Sequence, residues 1–168
     1  ANTNWFKEYY KNFSSSQEHN ISVSGGSKKV TYALSGSFLG VDGLIKHGSD
    51  ELQRYNLNGK INVAINDYVT LNFSTRWARQ EYERPYLLGG LFFHLLSKRW
   101  PTVAVKDPNG HYTEQSQVEQ MRNGGKSKSE DDYLTNFIQL KIEPIKDWNI
   151  YLEGSHRIET FFSHYDIL

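Results

Sequence analysis

Apolar and polar residues alternate one by one along most of this sequence, in runs too long for an ordinary globular strand. Tyr55, Leu57, Gly59, Ile61, Val63 and Ile65 fall on one side of Gln53–Ile65, against Arg54, Asn56, Asn58, Lys60, Asn62 and Ala64 on the other. Tyr68–Glu81 repeats this, with Val69, Leu71, Phe73, Thr75 and Trp77 against Thr70, Asn72, Ser74, Arg76 and Ala78. A period of two with one apolar side is the signature of a strand buried on one face only. Each run has about a dozen residues, beyond the usual ~5–6 and close to the ~9–11 of a tilted membrane strand.

The same pattern recurs around these two runs. Gln17–Ser24 and Val30–Leu39 form an opening hairpin across Gly25–Lys29, whose Gly-Gly-Ser cluster suits a tight turn. In it Val30, Tyr32, Leu34 and Phe38 oppose Thr31, Ala33, Ser35 and Ser37. Leu134–Glu143 and Trp148–Phe162 alternate likewise across a turn at Pro144–Asp147. The expectation is an all-β, antiparallel up-and-down meander of about six strands. The connections run short (25–29), longer (40–52), short (66–67), very long (82–133) and short (144–147). A β-sandwich has no reason to put every long loop at one end, whereas an outer-membrane barrel has short periplasmic turns and long extracellular loops. Tyr32, Phe38, Tyr55, Tyr68, Trp77 and Trp148 fall near strand ends, where aromatic girdles sit.

The remaining segments are irregular. Ala1–Ser16 holds one short helix around Trp5, Phe6, Tyr9 and Tyr10, capped by Asn4 or Thr3. Within 82–133, Tyr86–Lys98 has leucines at helical spacing, Asp107-Pro108-Asn109-Gly110 is a turn, and Val118–Arg122 is a further helical turn. Asn123–Asp132 reads as a solvated loop, and Glu130-Asp131-Asp132 as a solvated charge run.

Zero net charge gives no electrostatic footprint for nucleic acid. The absence of cysteine excludes disulfides and thiolate metal sites. A mean hydropathy of −0.66 does not argue against a membrane barrel, because half of each barrel strand faces a polar lumen. The sequence carries no signal peptide, opens on Ala1-Asn2-Thr3 and ends on Asp166-Ile167-Leu168 without a terminal turn; a piece of a longer protein is expected.

No chemistry-bearing motif survives scrutiny. Gly124-Gly125-Lys126-Ser127 resembles the end of a phosphate loop, but Gln120 stands where its first glycine belongs. Asp107–Gly110 lacks the later ligands of a calcium loop. His19, His47, His94, His111, His156 and His164 show no metal spacing and read as solvated or girdle residues. The expectation is a protein that is not an enzyme, with no cofactor and no metal. The candidate contacts for a substrate or partner are the loop aromatics Tyr82, Tyr86, Phe92, Phe93, Trp100 and Tyr112, because aromatic faces stack on the C–H surfaces of sugars. The competing reading makes Leu87–Leu96 with Phe92 a small satellite core that holds the loop together. Arg54, Asn56, Asn58, Lys60, Asn62, Asn72 and Arg76 either contact something inside a barrel or are simply solvated there.

Several stretches together carry a family resemblance. Asn2-Thr3-Asn4-Trp5 is followed by Glu18–Gly26 (EHNISVSGG), Thr31-Tyr32, Gly43-Leu44-Ile45-Lys46 and Arg54-Tyr55-Asn56-Leu57, then Trp100-Pro101-Thr102 and Lys106–Tyr112 (KDPNGHY). Over essentially its whole length the chain resembles the SusC/RagA-type TonB-dependent outer-membrane transporters of Bacteroidetes. The resemblance implies an early segment of a barrel of about 22 strands with an N-terminal plug. Residues 1–16 end an extracellular loop, 17–81 give four strands, 82–133 a long extracellular loop, and 134–162 two more strands. Plug and TonB box lie outside this sequence, so coupling to the TonB complex would run through other segments. The implied partners are the plug, the remaining strands, outer-membrane lipid and a SusD-type surface lipoprotein. The implied activity is import of glycans or other large nutrients. A soluble β-rich carbohydrate-binding module is the alternative, and it predicts a second layer packed on the apolar face. On the transporter reading this chain in isolation would expose two sheet edges and self-associate.

Overall fold

Six antiparallel strands follow one another in sequence and lie side by side in the same order, in a computed structural model that describes residues 2–167. Ala1 and Leu168 lie outside it. The strands are β1 (Ser16–Gly26), β2 (Val30–Asp42), β3 (Glu51–Asn66), β4 (Val69–Pro85), β5 (Lys126–Ile145) and β6 (Trp148–Tyr165). Three α-helices, α1 (Trp5–Tyr9), α2 (Gly90–Lys98) and α3 (Val118–Asn123), and a 3-10 turn at Glu114–Ser116 lie in the segments before β1 and between β4 and β5. The sheet is open: β1 and β6 are its edges. The expected meander is therefore observed.

The tight turns are fixed by local polar groups. Ser27 Oγ accepts from the amides of Lys29 and Val30, closing the β1–β2 turn. Asn66 Oδ1 accepts from the Tyr68 amide at 2.9 Å between β3 and β4. Asp147 adopts φ 69° between β5 and β6, the left-handed geometry that Asp tolerates in a turn. All three turns lie at one end of the sheet. The N-terminal segment, residues 43–50 and residues 86–125 lie at the other.

Both long-loop strands reach further than sequence alternation suggests. β4 extends to Pro85, and β5 begins at Lys126 rather than Leu134. Asn123–Asp132 is thus not a solvated loop: Lys126–Asp132 is strand, and Tyr82 belongs to β4 rather than to the loop. The extension is held by charge. Arg79 grips Asp132 through two nitrogens, at 2.8 and 2.6 Å, Lys126 meets Glu83 at 2.5 Å, and Lys128 meets Glu130 at 3.1 Å. Of the run Glu130-Asp131-Asp132, Glu130 and Asp132 are accordingly members of a paired ladder rather than free charges. α2 is also shorter than Tyr86–Lys98. The Leu88 amide closes a turn onto the Pro85 carbonyl, so the helix starts only at Gly90.

Among the described residues, Pro85 at the very end of β4 is the one strand residue that is buried, and the buried apolar cluster itself contains none. It consists of Trp5, Tyr9, Ile45, Leu88, Phe92, Leu96, Val118 and Met121, all from the long-loop end. There the three connecting segments pack into one loop cap. Asn4 caps α1 by accepting from the Lys7 amide at 3.0 Å. A backbone bridge joins Tyr10 to Ile45, and the Thr3 amide donates to the Pro101 carbonyl at 2.8 Å.

Candidate functional site

The two faces of the sheet differ in kind, and register makes each one continuous. Ile21, Gly36, Leu57, Trp77, Leu134 and Ile158 lie in one row across all six strands. Below it run Tyr32, Ile61, Phe73, Ile138 and Gly154, then Val30, Val63, Leu71, Leu140 and Leu152. This apolar band is uncovered: Ile21 is 77 % exposed and Leu152 58 %. Three polar residues of one row interrupt it on β4–β6: Thr75 Oγ1 donates to Asn136 Oδ1 at 2.8 Å, and His156 stands beside Asn136. From Val69 to Trp77 the band runs about 27 Å along β4 at ~3.4 Å per residue.

The band ends sharply toward the loop cap. The next row holds His19, Phe38, Tyr55, Arg79, Asp132 and Thr160. The rings of His19 and Phe38 stack at 6.3 Å, those of Phe38 and Tyr55 lie 5.2 Å apart, and Arg79 sits 5.8 Å from Trp77. Beyond this row the same face carries Glu51, Glu81, Glu83, Lys126, Lys128 and Glu130. At the opposite end Tyr68 and Trp148 stand exposed beside the turns.

The other face is a network of amides and hydroxyls. Asn56 donates to Ser37, Asn58 to Ser35, Asn62 to Thr31, and Asn72 to Gln139, which donates to Glu153. Arg76 Nε donates to Asn58 Oδ1 at 3.0 Å. A cavity of about 900 Å³ opens on this side, lined mostly by its residues, Ser22, Ser35, Asn58, Lys60, Asn72 and Arg76 among them. The sheet therefore curls with its polar face inside.

The six loop aromatics do not form one surface. Phe92 is 2 % exposed and packs edge-on to Tyr9 at 5.1 Å, so it belongs to the satellite core rather than to an outward contact set. Tyr112 is half-buried between Lys106 and Arg122, at 4.6 and 5.0 Å from its ring. Tyr82 lies on β4, its hydroxyl 3.3 Å from Asp50 Oδ1. Tyr86 meets Tyr165 at the end of β6. Phe93 and Trp100 point outward. Trp100, 73 % exposed, borders a shallow groove of about 570 Å³ with Leu95, Arg99, Val103 and Gln117.

Two residues that organise the cap carry no sequence signal. Arg99 donates through Nη1 to Tyr9 Oη at 3.1 Å and to the Ser116 carbonyl at 3.0 Å, through Nη2 to Gln117 Oε1, and lies 4.8 Å over the Trp5 ring. It thereby joins α1, the end of α2 and the start of α3. His47 overturns the reading of all six histidines as solvated or girdle residues: it is 6 % exposed, and neither ring nitrogen has a hydrogen-bond partner. Its ring meets Tyr9 and Tyr112 edge-on, and its Nε2 stands 3.5 Å from Glu8 Oε1. Burial, with Arg122 and Lys46 nearby, holds its pKa below the usual imidazole value despite the opposing pull of Glu8.

Among the described residues no cluster of three or more His, Cys, Asp or Glu side chains is arranged to hold a metal. No protein-family model matches the chain, and no curated protein matches it.

Proposed function

We propose that this chain is a wall segment of a transmembrane β-barrel, from a SusC/RagA-type, TonB-linked importer of glycans or other large nutrients in the bacterial outer membrane. On this reading the apolar band faces lipid, the polar concave face lines the lumen, and the loop cap lies on the extracellular side, where a SusD-type lipoprotein would meet it. One observation carries the reading: a single uncovered apolar band crosses all six strands and stops at an aromatic row backed by paired charges. Water would penalise such a band, whereas a hydrocarbon slab about 25 Å thick with polar boundaries accommodates it, since about 27 Å along a strand tilted ~35–45° spans roughly 20 Å of depth. The sequence resemblance narrows the barrel class to the SusC/RagA importers and is the sole basis for the glycan substrate.

The alternative, a soluble carbohydrate-binding module, draws on Trp100 and the amides around its groove. It requires a second layer over Ile21, Leu34 and Leu152, and among the described residues none is there.

Single cysteines test the proposal cleanly, since this chain has none of its own. In the full-length protein in outer membranes, cysteines at Leu57, Phe73 and Leu140 should react with a lipid-soluble maleimide and resist a charged one. Cysteines at Asn58, Ser74 and Gln139 should not take the lipid-soluble reagent. Equal labelling of both sets by the charged reagent would remove the membrane reading. Deletion of the gene followed by growth on single polysaccharides tests the transport step.

A further inference from the structure

His47 sits where three segments of the loop cap meet. It belongs to residues 43–50, which join β2 to β3, and its ring lies edge-on to Tyr9 of α1 and to Tyr112, at 5.7 and 6.0 Å. The segment is wedged between its neighbours. On one side the Lys11 amide donates to the Leu44 carbonyl at 2.7 Å and the Lys46 amide to the Tyr9 carbonyl at 2.9 Å. On the other, Gly48 adopts φ 82° so close to the chain that a Cβ there would stand 2.5 Å from the Met121 carbonyl oxygen and 2.6 Å from Pro85 Cγ. Ile45 joins the same buried cluster as Met121. This place suits a neutral ring only. A neutral imidazole carries one donor and one acceptor, a protonated one two donors. The groups that face it are Glu8 and Tyr9 from α1, Lys46 from its own segment, Tyr112 from the 106–112 hairpin and Arg122 from α3. Glu8, 3.5 Å from Nε2, is the one carboxylate among them, and Nδ1 has no partner. Protonation would therefore bury an unmet donor beside two cations, a costly state.

We infer that residues 43–50 are an acid-released latch: protonation of His47 frees them from α1 and α3 and opens the buried cluster beneath. The segment can leave without disturbing the sheet, because the Gly43 amide closes its neck on the Asp50 carbonyl, β2 ends at Asp42 and β3 begins at Glu51. A ring held below the ordinary imidazole pKa of ~6.5 keeps the latch shut at pH 7.5 and loses its hold as pH falls through that value. The latch is a property of the cap and does not depend on the membrane reading.

Met121 reports the opening. It is the only methionine in these 168 residues and is 1 % exposed. Hydrogen peroxide transfers one oxygen to an accessible thioether, giving the sulfoxide and water. The full-length protein is exposed briefly to peroxide at pH 7.5 and pH 5, and Met121 sulfoxide is followed by peptide mapping. Each rate is divided by that of the free 118–124 peptide at the same pH. The normalised rate should rise several-fold at pH 5, and His47→Gln should abolish the rise. Glu8→Gln, which removes the one carboxylate, should steepen it, and Arg122→Gln should make it shallower. Equal normalised rates at the two pH values, or an undiminished rise in His47→Gln, would overturn the latch. Should His47→Gln loosen the cap at both pH values, the two charge variants decide: they must shift the rise in opposite directions, and any other pattern overturns the inference.

Discussion

At the scale of single residues, the loop cap is where substitutions should be felt most, because it holds the buried apolar core. His47 ties pH to that core. Its proton affinity is lower in the packed cap than in an opened chain, so the opened state binds the proton first as pH falls. Cap stability from His47 is therefore complete above the ordinary imidazole pKa of ~6.5 and is lost as pH drops through that value toward the lowered one. The groups facing the ring are Glu8, Tyr9, Lys46, Tyr112 and Arg122, of which only Glu8 favours the protonated form. Protection factors of the amides in residues 43–50, corrected for intrinsic exchange at each pH, should fall between pH 7 and pH 5, and His47→Gln should flatten that dependence. An unchanged pH profile in the variant would dismiss His47 as the sensor. Arg99→Ala removes the guanidinium from Tyr9, Ser116 and Gln117 at once and leaves the buried Ser116 carbonyl without that donor. A cost of about 1–3 kcal/mol is expected. It should appear as earlier local opening of α1 and α3 in hydrogen exchange, with the strands unaffected.

At the scale of elements, the strands were legible in the sequence because alternation is a local property, and their order because short turns force neighbours to pair. Their ends were not. Beyond Trp77 and Leu134 the alternation continues in charges instead of apolar residues, and Lys126–Asp132 looks like loop until β4 supplies Arg79 and Glu83 as partners. The cap was half legible. Asn4, Phe92 and the helical leucines announce themselves, but Arg99 and His47 gain their roles only when segments distant in sequence converge. The band itself yields a graded prediction. If the proposed barrel is right, Ile138→Arg, deep in the band, should cost the full-length protein about 2–4 kcal/mol on refolding into bilayers, whereas Leu134→Arg, beside the aromatic row, should cost about 0–1 kcal/mol. Equal costs at the two depths would mean that the face does not meet a hydrocarbon slab.

At the scale of the whole molecule, the sheet has a wall's geometry without closure. Its polar face is concave, its apolar face outward and bare, and both edges, β1 and β6, are free. Closed membrane barrels start at about eight strands, so six cannot seal the hydrogen bonds at these edges by curling on themselves. An edge offers a row of unpaired amides and carbonyls to any other strand. β6 is the more dangerous of the two. It spans 18 residues against 11 for β1, and it is exposed along almost its full length. Ile150, Leu152 and Ile158 stand on its apolar side, while Arg157 and Glu159 on the other side neutralise each other in an ion pair. Expressed alone in detergent-free buffer, the 168-residue chain should therefore associate through β6, with light-scattering mass rising with concentration. That pair repels nothing and Glu153 is a lone carboxylate on an 18-residue edge, so Ile158→Lys, which adds an unpaired charge to its bare apolar side, should slow the association several-fold. A monodisperse monomer at millimolar concentration without detergent would mean that the bare face and free edges are satisfied within this chain, and the wall-segment reading would fall with them.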